Sequence, residues 1–337
     1  MDGATRSKQT AAASAARQLG WLPARVRAEG GALALDWRHF GAKRLTEPFY
    51  EDSAAAIQAG DPDRLITTPL TDTAAWPARL PSLEPSGLIF HMSRCGSTLI
   101  TQMLAACDAN LVVSEAGPID AVVRADLAPA QRIALLRAMA GALGQVRNAG
   151  ETRYFIKLDS WHACALPLFR AAFPATPWVF IYRDPAAVMV SHTGRVGAQL
   201  VSDLVSPAFY GLDPGGQTWG VDYYARVLGA ICAAAAREYA GGGGLMVNYS
   251  ELPRALWTRI LPHFGVAPSA PEVQRMAAAA RFDAKAPGRR FEPDVAAKRL
   301  ATTAAIEYAV ERSLAEVYGR LEALRSAVQS PARRPRR

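Results

Sequence analysis

The sequence predicts an α/β fold of three layers, a central parallel sheet flanked by helices, with a small N-terminal extension. Three observations lead there. A hydrophobic strand, Gly87 to Phe90, runs into the polar turn His91-Met92-Ser93-Arg94-Cys95-Gly96 and then into a helix. A second apolar run, Trp178-Val179-Phe180-Ile181-Tyr182, has no polar alternation, as expected of a strand buried on both faces, and delivers Arg183-Asp184-Pro185 into another turn. From Gly87 onward strand patterns alternate with helix patterns, the signature of crossover-connected parallel strands.

In chain order, residues 1–85 form the extension. Met1 to Arg17 reads as a disordered leader, and Trp21-Leu22-Pro23, Asp36-Trp37-Arg38 and Glu47-Pro48-Phe49-Tyr50 scatter aromatics among turns. Pro77, Pro81 and Pro85 mark a linker. The main domain spans 86–328. A strand is expected near Leu111 to Val113, helices over Ile119 to Val123 and Pro129 to Val146, and a strand over Arg153 to Leu158. A helix from Trp161 to Phe173 precedes the Trp178 strand, and Pro185 fits the first turn of the helix that follows. Trp219 to Ala240 reads as a long helix, and Gly244 to Asn248 as a strand leading into a helix that ends near Gly265. Val295 to Ala327 reads as one long helix with Ile306, Ala309, Val310, Leu314, Val317 and Leu321 at helical spacing. The basic tail 329–337 is expected to be disordered.

Composition narrows the function classes. Hydrophobic residues make up 50% of the 337 residues and charged ones 20%, a globular balance. No apolar stretch approaches the roughly 20 residues of a membrane helix, and the N-terminus has no apolar signal segment. Cys95, Cys107, Cys164 and Cys232 show no metal or C-x-x-C spacing and read as reduced thiols of a cytoplasmic protein. Of these, Cys95 at a helix start beside Arg94 is expected to have a lowered pKa and to be oxidisable. The net charge of +8 lies partly in the tail, and aromatics are not interleaved with cations, so nucleic acid is not the expected partner. A basic cleft for an anionic nucleotide accounts for the remainder.

The turn after Phe90 is an anion cradle, since amides at a helix start lack intrahelical partners and the peptide dipoles add positive charge. A triphosphate loop, G-x-x-x-x-G-K-[ST], would put His91 at its first Gly and Ser97 at its Lys, so that template fails at two fixed positions. The cation comes early, at Arg94, where a guanidinium beside clustered amides suits a phosphate or sulfonate oxygen without requiring Mg²⁺.

In Ser93-Arg94-Cys95-Gly96-Ser97-Thr98 the chain resembles the PAPS-dependent sulfotransferase family, whose 5′-phosphate loop reads roughly P-[KR]-S-G-T-T. Ser93, Cys95 and Ser97 depart from that pattern. The resemblance implies a P-loop fold and transfer of a sulfuryl group from 3′-phosphoadenosine-5′-phosphosulfate (PAPS) to a hydroxyl or amine. It also implies a 3′-phosphate site at Arg183 and, eight residues later, Ser191. Met246-Val247-Asn248-Tyr249-Ser250-Glu251-Leu252 is similar to the family's late Y-E-D-L turn, with Ser250 where the acidic residue usually stands and Tyr249 able to contact the donor. Lys285-Ala286-Pro287-Gly288-Arg289-Arg290 resembles the basic loop that closes over the 3′-phosphate, so Lys285, Arg289 and Arg290 join the donor-binding set.

For the chemistry, Glu115 lies 21 residues after Arg94 and Lys157 lies 26 before Arg183, as in the protein-tyrosine sulfotransferase branch. That resemblance makes Glu115 the base and Lys157 the cation at the transferred group. Lys157 ends a strand at the ligand edge of a chain with only five lysines, where it can stabilise developing negative charge. The cytosolic small-molecule branch has a His two residues after its Lys; here that position is Asp159. Asp159 and His162 therefore stand as further base candidates. The acceptor, a small molecule or glycan, is open, and Thr193 to Trp219 is long enough to form a lid or acceptor wall. No metal is expected. Two other classes remain: a kinase using ATP with Asp159 as a Mg²⁺ ligand, and a non-catalytic nucleotide-binding or scaffold protein.

Overall fold

The computed structural model describes residues 19–75, 80–292 and 295–329. The expected leader, Pro77 and the tail from residue 330 lie outside the described residues.

The main domain is built on five parallel strands: β4 (Gly87–His91), β5 (Asn110–Ser114), β6 (Arg153–Lys157), β7 (Trp178–Tyr182) and β8 (Gly244–Asn248). Their order is β5-β6-β4-β7-β8, and helices flank the sheet. Every residue of β4, β5 and β7 is buried, which is why these segments read as unbroken apolar runs. The chain leaves β4 toward the β5 edge and leaves β7 toward the β8 edge. Their carboxyl ends therefore flank a crevice at the point where the winding reverses, the place where such sheets bind ligands.

The connecting helices start where the sequence provides for it. Following β4, helix α2 (Ser97–Ala105) begins after Gly96, and after β5 helix α3 (Gly117–Arg124) has Pro118 in its first turn. Helix α4 (Pro129–Leu143) is three residues shorter than its apolar pattern suggests, because Gly144 closes it. The expected helix over Trp161 to Phe173 is a 3₁₀ segment, Ser160–Ala165, followed by α5 (Leu166–Ala172). Helix α6 (Pro185–Gly194) is capped by Asp184, whose carboxylate accepts the Ala187 amide at 2.8 Å. Helix α7 (Gly220–Glu238) matches expectation.

Beyond β8 the pattern was less legible. Tyr249–Glu251 is a 3₁₀ turn, and a π-helical turn follows at Leu256–Ile260, so no single helix runs to Gly265. Helix α8 (Ala270–Ala279) leads into a hairpin of β9 (Phe282–Asp283) and β10 (Ala286–Arg290). The expected single helix over Val295 to Ala327 is three: α9 (Val295–Leu300), α10 (Ala304–Ser313) and α11 (Ala315–Gln329). Thr303 caps α10 by accepting the Ile306 amide, and Leu314 leaves helical geometry with φ −127°, so the apolar stripe continues across breaks that periodicity does not register.

The N-terminal region is more regular than its aromatic scatter implies. Strands β1 (Trp21–Glu29), β2 (Ala32–His39) and β3 (Leu65–Pro69) form an antiparallel sheet, with α1 (Tyr50–Gly60) between β2 and β3. The sheet shares one continuous core with the main domain: Leu22 and Leu35 are fully buried, each worth roughly 1.5–3 kcal/mol. Buried Gln145 accepts the Gly20 amide and donates to the Trp21 carbonyl, while Arg147 donates to the carbonyls of Gly41 and Lys43. Pro81 and Leu83, in the expected linker, are pinned to Val146 and Gly144 by backbone hydrogen bonds.

Candidate functional site

Three non-glycine residues among those described have positive φ: Ser93 at 83°, Arg94 at 50° and Glu115 at 52°. All stand just past the carboxyl ends of β4 and β5, the strands on either side of β6. Such strain persists only where surrounding structure enforces it, and it concentrates at functional sites. With Gly96 at φ 86°, the β4 turn curls its amides toward one side. A Cβ on Gly96 would stand 2.8 Å from the Tyr249 ring and 2.9 Å from Leu252, so glycine is required by both conformation and space.

Beneath the turn, Lys157 is fully buried at the end of β6. Its Nζ lies 2.7 Å from Glu115 Oε1 and donates to Thr98 Oγ1 at 3.2 Å. The Glu115 amide donates to the Lys157 carbonyl at 2.8 Å, which couples the ends of β5 and β6. Glu115 Oε1 also faces His91 Nε2 at 3.2 Å, and His91 Nδ1 accepts the Ser93 amide at 3.0 Å. That second bond fixes the tautomer, leaving the ring proton on Nε2 toward the carboxylate. Burial holds His91 below its usual pKa against the pull of Glu115. Burial works against ionisation of Glu115 as well, but Lys157 and then His91 outweigh it and hold the carboxyl below the carboxylate range.

Asp159 has the opposite character. Buried, and facing Glu115, Asp120 and Glu51, its carboxyl is pushed well above its ordinary pKa. His162 is fully buried, with Nε2 3.0 Å from Asp120 Oδ1 and 3.9 Å from Asp159 Oδ2. Asp120 itself accepts from Trp161 at 2.6 Å and from Arg124 at 2.8 Å; burial raises its pKa, but His162 and Arg124 bring it down to about 2. Sequence reading missed Asp120, on the inner face of α3, because a single helical Asp has no signal until the fold faces it with His162. One ligand atom each of Asp120, Asp159 and His162 lies within 4.8 Å of the others, a spacing that can hold a cation. Holding one would cost Asp120 its present bonds.

The expected donor-binding residues divide. Arg183 is buried at the end of β7, its guanidinium 4.1 Å from the Tyr249 ring centroid, so these two are brought together. Ser191 lies one face along α6 and donates to the Ala187 carbonyl at 2.9 Å. Arg94 donates to the Arg195 carbonyl at 2.9 Å, linking the β4 turn to the end of α6. Ser97 and Thr98 are buried in the first turn of α2. Lys285 extends over the Phe49 ring at 5.4 Å; partial desolvation, then Arg94 and Lys157, lower its ammonium to about 8. Arg289 and Arg290 are exposed on β10, and Arg289 is 3.8 Å from Asp283 within its own hairpin. The basic segment is thus a strand with only Lys285 facing the site electrostatically. Cys95 corrects its expectation: fully buried, with Sγ donating to the Ile181 carbonyl at 3.1 Å, its thiol is pushed up to about 12 by burial, which the backbone at Met92 and Ser97 and the charge of Lys157 do not offset. It is not an oxidisable thiolate.

The N-terminal sheet supplies what the sequence concealed. Phe49, just before α1, lies 4.9 Å from Lys157 Nζ as well as near Lys285, so two of the five lysines meet one ring. Glu51 Oε1 accepts the Gly117 amide at 2.6 Å, two residues from Glu115, and a Cβ on Gly117 would stand 2.8 Å from that oxygen. Burial and then nearby Glu115 raise the Glu51 carboxyl to about 7 despite this bond. The segment 193–219 forms 3₁₀ turns at Ala198–Leu200 and Pro207–Tyr210; Arg124 ties it to the acidic cluster by donating to both Asp120 and the Leu204 carbonyl.

No protein-family model matches the chain, and no curated protein matches it. Solved structures that resemble it are sulfotransferases. One from Mycobacterium tuberculosis H37Rv is 16% identical with TM-score 0.43, over 73% of this chain and 81% of that one. The sulfotransferase domain from the curacin biosynthetic pathway is 14% identical with TM-score 0.41, over 70% and 98%. A sulfotransferase from Alicyclobacillus acidocaldarius is 15% identical with TM-score 0.39, over 74% and 100%. Among the described residues no helix is long and apolar enough to cross a membrane, and the four cysteines are free thiols.

Proposed function

We propose that the protein is a PAPS-dependent sulfotransferase acting on a hydroxyl or amine. The observation that carries this is the buried Lys157, shared between Glu115 and Thr98 directly beneath a strained, arginine-bearing amide turn. The turn residues 93–98 offer amides and Arg94 to a 5′-phosphate; Arg183, backed by Tyr249, with Ser191 on the next helix, offers a second anion site for a 3′-phosphate. The donor supplies an electrophilic sulfur joined to a phosphate leaving group.

Of the carboxyls near this centre, Lys157 and His91 favour the charged form of Glu115, whereas burial and the neighbouring acids push Asp159 upward, which favours Glu115 as base. The acceptor proton passes to Glu115 as the acceptor oxygen or nitrogen bonds to sulfur. The sulfur–oxygen bond to the phosphate breaks, its electron pair leaving with that oxygen. Lys157 and Arg94 meet the charge that develops there. Free thiols support a reducing, cytoplasmic setting.

The Asp120, Asp159 and His162 cluster favours one other reading, a Mg²⁺-dependent kinase using ATP. Incubation with ³⁵S-labelled PAPS and a metabolite extract, with and without EDTA, separates the two. Labelled product that survives EDTA is expected; activity that vanishes with EDTA and returns with Mg²⁺ and ATP overturns the sulfotransferase reading.

A further inference from the structure

Strand β8 is at the edge of the parallel sheet, and its register with β7 ends at the facing pair Tyr182 and Asn248. Past that pair the chain enters α6 on one side and a 3₁₀ turn on the other, so the sheet no longer sets the spacing of the residues that follow. Those residues are Arg183 and Tyr249, whose guanidinium and ring centroid lie 4.1 Å apart. The Tyr249 ring also closes over Gly96, where a Cβ would stand 2.8 Å from it. Tyr249 thus meets both the turn offered to the 5′-phosphate and the cation offered to the 3′-phosphate.

One carboxylate spans the last facing pair. Glu322 of α11 accepts on Oε1 from the Tyr182 hydroxyl at 2.5 Å and from the Asn248 side-chain amide at 2.9 Å. It therefore binds the residue immediately before each member of the Arg183 and Tyr249 pair. Arg325, one helical turn on, donates to Glu322 Oε2 at 2.6 Å and lies 3.7 Å from Glu251 Oε2, which accepts the Asn248 backbone amide at 3.0 Å. Asn248 is thus held at its side chain and at its backbone by two carboxylates that share one guanidinium. Tyr182 and Asn248 are buried, so water cannot freely replace a lost acceptor there. Apolar anchorage of α11 already comes from Leu321, fully buried, with Val317 and Leu324 against the core. The polar clamp falls instead at the level from which Arg183 and Tyr249 emerge.

We propose that Glu322 is a positioning residue for the donor site: acting through Tyr182 and Asn248, it sets the spacing of Arg183 and Tyr249 and hence the fit of a 3′-phosphate. This role presupposes the 3′-phosphate site proposed above, so the two must be able to fail separately. Calorimetry with 3′,5′-adenosine bisphosphate and with adenosine 5′-phosphate gives the ratio of the two affinities for each variant. In Glu322→Ala that ratio should fall about fivefold, the scale of a residue acting at one remove. Glu322→Gln, which keeps an acceptor oxygen for Tyr182 and Asn248, should hold the parent ratio. In the Arg183→Ala background the same Glu322→Ala change should leave both affinities where they were, because its target is gone.

A residue that only fastened α11 would weaken both nucleotides alike, with or without Arg183. Should Glu322→Ala fail to fold, as judged by thermal melts, Tyr182→Phe keeps the buried ring, removes one donor of the clamp and should lower the ratio about twofold. An unchanged ratio in the folded variant, equal weakening of both nucleotides, a Gln variant as impaired as the Ala one, or a loss that persists without Arg183 overturns the positioning role. Failure of the parent chain to bind the bisphosphate overturns the transfer reading instead.

Discussion

The two sides of the crevice differ in how they are charged and in how they are assembled. On the β4–β7 side stand Arg94 and Arg183, carried by the turns after those strands, Arg195 at the end of α6, and Lys285 in the hairpin of β9 and β10. On the β5–β6 side stand Glu115, Asp120 and Asp159 from the main domain and Glu51 from helix α1 of the N-terminal region. The cationic side is suited to hold a donor, and the acidic side to receive an acceptor and its proton. An anion site needs only amides and guanidinium groups that one or two turns can provide, whereas a paired set of carboxyls with separated pKa values needs groups converging from several elements.

The largest expected effect tests the acidic side. Glu115→Gln should leave nucleotide affinity nearly unchanged and lower single-turnover rates by a factor on the order of 10² to 10⁴. If the rate persists there while Asp159→Asn or His162→Ala abolishes it, the base lies deeper in the cluster. Lys157→Ala comes next, because it strands Glu115 without its main cation; a loss of about 3 kcal/mol or more in denaturant unfolding is expected, and Glu115→Gln in the same background should recover much of it.

The cationic side is sharpened by Arg183→Ala. It should weaken 3′,5′-adenosine bisphosphate by about 1.5–3 kcal/mol and adenosine 5′-phosphate far less, as judged by calorimetry. Equal losses would move Arg183 out of the 3′ site and blur the division.

A smaller effect concerns pH. Glu51 has a folded pKa raised to about 7, above its unfolded value, so the folded state holds the extra proton. Its contribution to stability therefore falls as pH rises from about 4.5 through 7 and is level above. Thermal melts should show that decline in the parent chain and a reduced one in Glu51→Gln; identical profiles would mean that Glu51 is well solvated. Smallest of all, iodoacetamide at pH 8 should leave Cys95 unlabelled until the chain is unfolded, since burial holds its thiol near 12.

Legibility followed the same division. The strands Gly87–His91 and Trp178–Tyr182 were visible because full burial makes a strand apolar throughout, and the turn beginning at Ser93 because its Arg and Gly lie two residues apart in the chain. Glu115 and Lys157 were found through their spacing from those turns together with their places at strand ends. Asp120, Phe49 and Glu51 were not found, since each acquires its meaning from a neighbour far away in sequence: His162, Lys157 and Gly117 respectively. Local pattern likewise could not separate α9, α10 and α11, where one apolar stripe from Ile306 to Leu321 crosses the break between α10 and α11. A reactive Cys95 was read from a helix start beside Arg94, but the side chain turns inward to Ile181, where desolvation dominates.

The contact of Phe49 and Glu51 with the main sheet bears on where this chain can be cut. A boundary near residue 86 is attractive to anyone wishing to express the parallel-sheet domain alone or to graft it elsewhere. Excision there would remove the ring beneath Lys157 and Lys285 and the carboxylate on Gly117, and would uncover Gln145 and Arg147, whose partners lie at Gly20, Trp21, Gly41 and Lys43. The two sheets therefore constitute one inheritable unit, and a chimaera that exchanged the N-terminal one would be expected to change what the protein accepts.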